Sequence, residues 1–253
     1  MTSVRSASAR ALVVAVAIAA LPFAASAQAL PAANDLMARH DAAVGGRAAV
    51  ERFSSIHQAG TFSIAAMGIE APVDIYKSKP NKYLMKVVLG PVGEVMQGSD
   101  GKTMWLIQPQ QGAVVLEGAQ ADAMKANADF FAGLHDASQY KSAETVELAD
   151  FEGRKCYKVK LVASSGQESY EYFDAATGLR AGVLVTLESP MGKIEQTSVP
   201  TDYKDFGGIK FPTRIVSRNG QFDITITMTT VEFDNVDATT FALPDAVKAL
   251  VKP

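Results

Sequence analysis

Along most of this chain apolar and polar residues alternate with a period of two. In the run Phe222 to Thr229, the side chains of Phe222, Ile224, Ile226 and Met228 fall on one face of an extended backbone, and Asp223, Thr225, Thr227 and Thr229 on the other. That is the pattern of a strand with one buried face. Tyr157, Val159 and Leu161 alternate with Lys158 and Lys160 in the same way. Strand-like runs also cover Ile56 to Ala66, Ile69 to Lys77, Lys82 to Leu89, Glu94 to Gly98, Thr103 to Gln108, Ala113 to Glu117, Ala143 to Ala149, Glu168 to Phe173, Arg180 to Glu188, Lys193 to Tyr203 and Lys210 to Arg218. Turn residues separate many of them, as in Ser99-Asp100-Gly101, Phe151-Glu152-Gly153, Ala176-Thr177-Gly178, Phe206-Gly207-Gly208 and Asn219-Gly220, the last being the strongest hairpin signal. Strands joined by such short turns pair antiparallel, because a parallel crossover needs about a dozen residues or more. The pattern predicts a mainly β (α+β) protein, an antiparallel meander of roughly ten to twelve strands that curls into a full or partial barrel.

Two segments break the alternation. Near the start, Asn34 or Asp35 can cap a helix that runs to about Val44 and stops at Gly45-Gly46, with a second helix near Arg47 to Phe53. Between Gly118 and Leu134 there is no β-branched residue; Ala121, Met124, Ala128 and Phe131 share one helical stripe, flanked by Phe130 and Leu134, with Asp122, Lys125 and Asp129 on the polar side. Such an amphipathic helix either covers a sheet face as core or forms a movable lid over an apolar cavity.

The first residues are a separate matter. Arg5 and Arg10 precede an unbroken apolar stretch from Ala11 to Leu21, followed by Ala25-Ser26-Ala27 and Ala27-Gln28-Ala29. The stretch is short of the roughly 20 residues a spanning helix needs and carries A-x-A sites, so residues 1–27 read as a secretory signal peptide cut after Ala27 or Ala29. Residues 28–253 are then one domain, exported and soluble after cleavage. Loss of the leader takes the formal charge from −3 to −5, and no basic excess points to nucleic acid. The lone Cys156 allows no intramolecular disulfide or CxxC motif, and reads as an ordinary strand residue. No cysteine near the cleavage site would carry a lipid anchor.

Catalytic chemistry is not legible. The three histidines, His40, His57 and His135, are scattered with no metal-ligand spacing, and the adjacent pairs His40-Asp41 and His135-Asp136 read as surface residues. No G-x-S-x-G elbow, P-loop, dinucleotide fingerprint or zinc motif occurs. The reading is a binding protein, not an enzyme, without cofactor or metal; a secreted hydrolase is the weaker alternative.

Particular segments carry a resemblance. Ser99-Asp100-Gly101-Lys102-Thr103-Met104-Trp105-Leu106 resembles the S-D-G-K-T-x-W segment of the periplasmic lipoprotein carrier family LolA, and Lys79-Pro80-Asn81-Lys82-Tyr83 is similar to that family's R-P-N-x-F segment. Tyr203 to Pro212 and Phe241-Ala242-Leu243-Pro244 are similar to segments of outer-membrane lipoprotein-sorting proteins. The resemblance implies a curled antiparallel sheet of about eleven strands, an incomplete β-barrel with helices over its open side, whose hollow takes acyl chains. It implies that lipid or an acylated lipoprotein is the cargo, with an inner-membrane exporter and an outer-membrane acceptor as partners, transient membrane-surface contact and a monomeric carrier. A scaffolding or envelope-stress-sensing module of the same fold that binds a protein partner is the alternative. Met124, Phe130, Phe131 and Leu134 are the candidate lid contacts, and Met104, Trp105 and Tyr83 the candidate sheet contacts. Lys79 stands where the family has an Arg that ties the lid closed; lysine keeps the charge but loses the planar fork.

Overall fold

The computed structural model describes residues 29–189 and 192–251; the expected leader lies outside them. Two short helices come first, α1 (Ala33–Ala43) and α2 (Gly46–Glu51). Six strands follow: β1 (Ser55–Ile64), β2 (Ile69–Ser78), β3 (Lys82–Val88), β4 (Glu94–Ser99), β5 (Met104–Gln108) and β6 (Gly112–Val115). A third helix, α3 (Gly118–Ala128), precedes seven more strands: β7 (Tyr140–Phe151), β8 (Arg154–Ala163), β9 (Glu168–Asp174), β10 (Arg180–Ser189), β11 (Gly192–Phe206), β12 (Ile209–Arg218) and β13 (Asp223–Phe233). The short helix α4 (Asp245–Lys248) follows. The described residues thus place thirteen strands in one antiparallel sheet, ordered β6-β5-β4-β3-β2-β1-β13-β12-β11-β10-β9-β8-β7, two strands more than the resemblance implies. The sheet is open and curled, not closed into a barrel: β6 and β7 are its two free edges.

Those edges are consecutive in the chain, so the connector between them has to cross the sheet. It does so over the concave face, tied at several points on the way. Leu116 N–H donates to Met104 O (2.8 Å), Phe130 N–H to Pro80 O (3.2 Å) and His135 N–H to the Asp41 carboxylate (3.1 Å), and Gln139 O accepts from Ser164 N–H (2.8 Å). α1 lies beside it, burying Leu36 and Met37 against Val159, Leu161 and Phe173.

Two expectations change. α3 ends at Ala128 rather than near Leu134, because Asp129 leaves helical geometry (ψ 126°) and its carboxylate accepts the Phe131 N–H (2.9 Å), an Asx turn that competes with the helix. Phe131 therefore belongs to the turn after the helix and not to its stripe. α1 begins at Ala33 with no side-chain cap, so Asn34 and Asp35 lie inside its first turn, where Asp35 favours the helix dipole. Among the described residues no helix is long and apolar enough to cross a membrane.

Candidate functional site

Antiparallel partners share a face, so the register gives the lining of the hollow directly. One row crosses β1 to β5 as Ile56, Lys77, Tyr83, Ser99 and Met104; the next runs Gln58, Ile75, Met85, Gln97, Leu106; a third runs Gly60, Val73, Val87, Val95, with Met228 of β13 opposite Gly60. Val73, Val87, Ala71 and Met228 form one buried cluster with Phe62, Ile75, Met85, Val95 and Ile226 around it. This half of the concave wall is apolar.

The connector sits on that wall. Met124 and Ala121 of α3 pack on Met104 and Leu116. Phe130, Phe131 and Leu134 pack on Ile56, Val50 of α2 and Ile209 of β12. All four expected lid residues therefore meet the concave face, and Tyr83 and Met104 lie in its first row. Trp105 does not join them. It follows Met104 directly in a strand, so it points to the opposite face, in the row His57, Tyr76, Leu84, Gly98, Trp105. There it lies over Gly98, where a Cβ would be 2.7 Å from the indole, and it is 3% exposed. Since α3 occupies the other face, the covering is supplied by the C-terminal segment, whose α4 runs against β6 and whose residues 238–241 run against β3.

Lys79 meets the connector through aromatic faces. Its ammonium lies 5.3 Å from the Phe130 ring centre and 5.7 Å from that of Phe131, while its hydrogen bond goes to Glu51 O at the end of α2 (2.8 Å). The lysine that meets a connector carbonyl is Lys77, on the concave face, 3.4 Å from Asp129 O. Burial lowers the Lys77 pKa to about 8, against the opposing charge of Asp129.

The other half of the concave wall sets polar residues among apolar ones. Its rows run Val159, Glu171, Val183, Ser198 and Leu161, Ser169, Val185, Gln196. Between it and the connector lies a cavity of about 360 Å³ lined by Lys125, Asp129, Leu134, His135, Gln139, Tyr140, Glu171 and Arg180 among others. His40 and His135, expected at the surface, are both buried here; His40 is 1% exposed. His135 Nδ1–H donates to Asp41 Oδ1 (2.7 Å) and Nε2–H to Glu171 Oε2 (3.0 Å), and Arg180 donates to Glu171 Oε1 (3.3 Å). Burial works against the His135 charge, yet the hydrogen bonds to Asp41 and Glu171 outweigh it and raise its pKa to about 9. Burial likewise opposes the Glu171 charge, and Arg180 and His135 overcome it, taking that carboxyl down to about 2. His40 goes the other way: burial, then the charges of Arg180 and His135, lower it to about 4. As a neutral ring it accepts the Arg180 N–H at Nδ1 (3.0 Å).

Arg180 reaches this site through a backbone irregularity. Its partner is Phe173, whereas Gly182 pairs with Tyr172, so a bulge at Ala181 breaks the alternation and turns both Arg180 and Val183 to the concave side. Tyr203 braces the bulge by donating from its hydroxyl to Arg180 O (2.9 Å). A smaller apolar space of about 80 Å³ adjoins the polar cavity, with Leu134 and Arg180 lining both and Val50, Ile56, Phe130, Phe131 and Phe211 around it.

No family model matches the sequence, and no curated protein does. Solved structures do match. A LolA superfamily protein from Nitrosomonas europaea is 11% identical over 85% of this chain and 99% of its own, with a TM-score of 0.57. A DUF1329 family protein from Desulfovibrio piger is 13% identical over 82% of this chain and 94% of its own, with a TM-score of 0.57. An outer membrane lipoprotein-sorting protein domain from Vibrio parahaemolyticus is 12% identical over 82% of this chain and 95% of its own, with a TM-score of 0.55. At these identities what is shared is the fold.

Proposed function

Starting from a LolA-like fold, we propose that this protein is a periplasmic carrier that holds the acyl chains of a lipid or lipoprotein in the hollow of its sheet, beneath the connector 116–139. The observation that carries this reading is the apolar cluster on the concave wall, from Phe62 to Met228, beside a crossing segment whose own apolar side chains pack on Val50, Ile56 and Ile209 of the same hollow. Ligand pockets are typically about 300–1,000 Å³, so the apolar space of about 80 Å³ is a closed state. Phe130, Phe131 and Leu134 occupy the position hydrocarbon would take, and loading requires them to swing away.

Magnitudes favour a handover mechanism. Burying each CH2 contributes about 0.8 kcal/mol, so about a dozen contribute ~10 kcal/mol before costs. Unaided release into water would be slow. An exporter in the inner membrane and an acceptor at the outer membrane would supply and receive the cargo, with connector displacement as the adjustable quantity. Lys79 over the two phenylalanine rings and Lys77 on Asp129 O would set the cost of opening.

Native mass spectrometry of the protein purified from a bacterial envelope tests this. The expected spectrum shows a lipid or acylated peptide bound at one copy per chain, replaceable by a fluorescent fatty acyl probe. A chain that carries no acyl mass and takes up no probe contradicts the carrier reading; a stoichiometric protein partner under those conditions would favour scaffolding instead.

A further inference from the structure

The hollow joins a mainly apolar half to a half that carries the buried network of His135, Glu171 and Arg180, and the two meet at Arg180. Hydrocarbon alone would have no use for that network. Its acceptors are largely occupied: both Glu171 oxygens take hydrogen bonds from His135 and Arg180, the Asp41 carboxylate takes three from His135, and Asp129 takes Phe131 N–H and the Gln139 amide. The donors are not. Arg180 commits one nitrogen, in a long contact of 3.3 Å. Among the described residues its remaining N–H groups and the Tyr140 hydroxyl have no acceptor, and both side chains line the cavity of about 360 Å³. A site with spare cationic donors beside carboxylates already engaged favours an anion.

The geometry points to an anionic-headgroup subsite at Arg180 and Tyr140, so that the cargo is an amphiphile with a carboxylate or phosphate at the head of its hydrocarbon chain. Arg180 and Leu134 line the polar and the apolar space alike. A headgroup on the guanidinium therefore directs its chain past Leu134 toward Ile56 and Phe130, where the connector has to yield. The bulge at Ala181 gives the chain its reason: regular alternation would leave Arg180 on the outer face. Glu171 and His135 act as positioning residues, holding the guanidinium with its free edge toward the cavity. The inference rests on the carrier reading above and specifies which amphiphiles that carrier takes.

Isothermal titration of the delipidated full-length protein with lauric acid, dodecyl phosphate and uncharged dodecanol, and separately with inorganic phosphate, tests it. Expected is at least 10-fold tighter binding of both anionic amphiphiles than of dodecanol, with no measurable binding of phosphate alone at millimolar concentration. Arg180→Gln is expected to reduce the preference to less than 2-fold. Tyr140→Phe, which keeps the buried charges intact, should reduce it about 3-fold and keeps the inference falsifiable where Arg180→Gln does not fold. Equal binding of dodecanol and lauric acid by the parent would overturn the headgroup subsite and leave the carrier reading standing. Inorganic phosphate binding as tightly as dodecyl phosphate would also overturn it, marking a site for a free anion. Binding of no amphiphile at all would overturn the carrier reading and this inference together.

Discussion

Glu171→Leu is expected to destabilise the protein by about 3–5 kcal/mol, the cost of leaving a buried charge without its partner. Glu171 is 6% exposed and faces two cations at once, His135 Nε2 at 3.0 Å and Arg180 at 3.3 Å. After the substitution His135 still has Asp41, but Arg180 loses the carboxylate that offsets its desolvation. For a chain of this size each kcal/mol lowers Tm by about 2–4 °C, so the melting temperature should fall by roughly 10 °C. Glu171→Gln retains an acceptor for His135 and should cost about half as much. Thermal unfolding of the two variants beside the parent checks this, and a Tm for Glu171→Leu within 2 °C of the parent would mean that the network contributes no stability.

Stability should peak near pH 6.5, because the two buried histidines titrate in opposite directions around it. The pKa of His40 is lowered from 6.5 to about 4, so between those values the unfolded chain binds a proton that the folded one does not. The stability His40 confers is complete above pH 6.5 and is lost as pH falls toward 4. The pKa of His135 is raised from 6.5 to about 9. Its contribution is complete below pH 6.5 and is lost as pH rises toward 9. Lys77, lowered to about 8, gains stability above that pH and opposes the alkaline loss there; Glu171, lowered to about 2, adds to the acid loss below pH 4.5. The histidines are therefore read most cleanly at pH 4.5, 6.5 and 8. At about 1.4 kcal/mol per pKa unit, urea unfolding should show ~2 kcal/mol less stability at each outer pH than at 6.5. His135→Gln should remove the alkaline loss and His40→Asn the acid loss; parallel profiles in all three proteins would contradict the assignment.

The sequence carried the sheet further than it carried the site. All the strand-like runs became strands, since alternation or apolar runs mark them and turn residues separate many of them. The connector was legible because a stretch without β-branched residues interrupts them. Its helix end was not: Asp129 stops it through a side-chain bond to Phe131 N–H that no periodicity shows. Alternation does separate Met104 from Trp105, since neighbours in a strand cannot share a wall, and the resemblance that grouped them did not take that into account. The buried network escaped for a different reason. Its members are joined across 94 residues, from Asp41 to His135, and across 36 more to Glu171, and Arg180 faces inward only through the Ala181 bulge. One local signal did exist. Ala33, Leu36, Met37 and His40 are spaced as a single helical stripe and are all buried, which puts His40 on the core side of α1.

The central claim is that the apolar half of the hollow holds hydrocarbon. Photolabelling of the delipidated protein with a fatty acid that carries a diazirine near its tail tests this most directly, the crosslinked residues being located by peptide mass spectrometry. The expected result is saturable labelling, competed by unmodified fatty acid, at Val73, Met85, Val87 or Met228 on the concave faces of β2, β3 and β13. Labelling that does not saturate, or that falls on Tyr76, Leu84 and other residues of the opposite face, would contradict it.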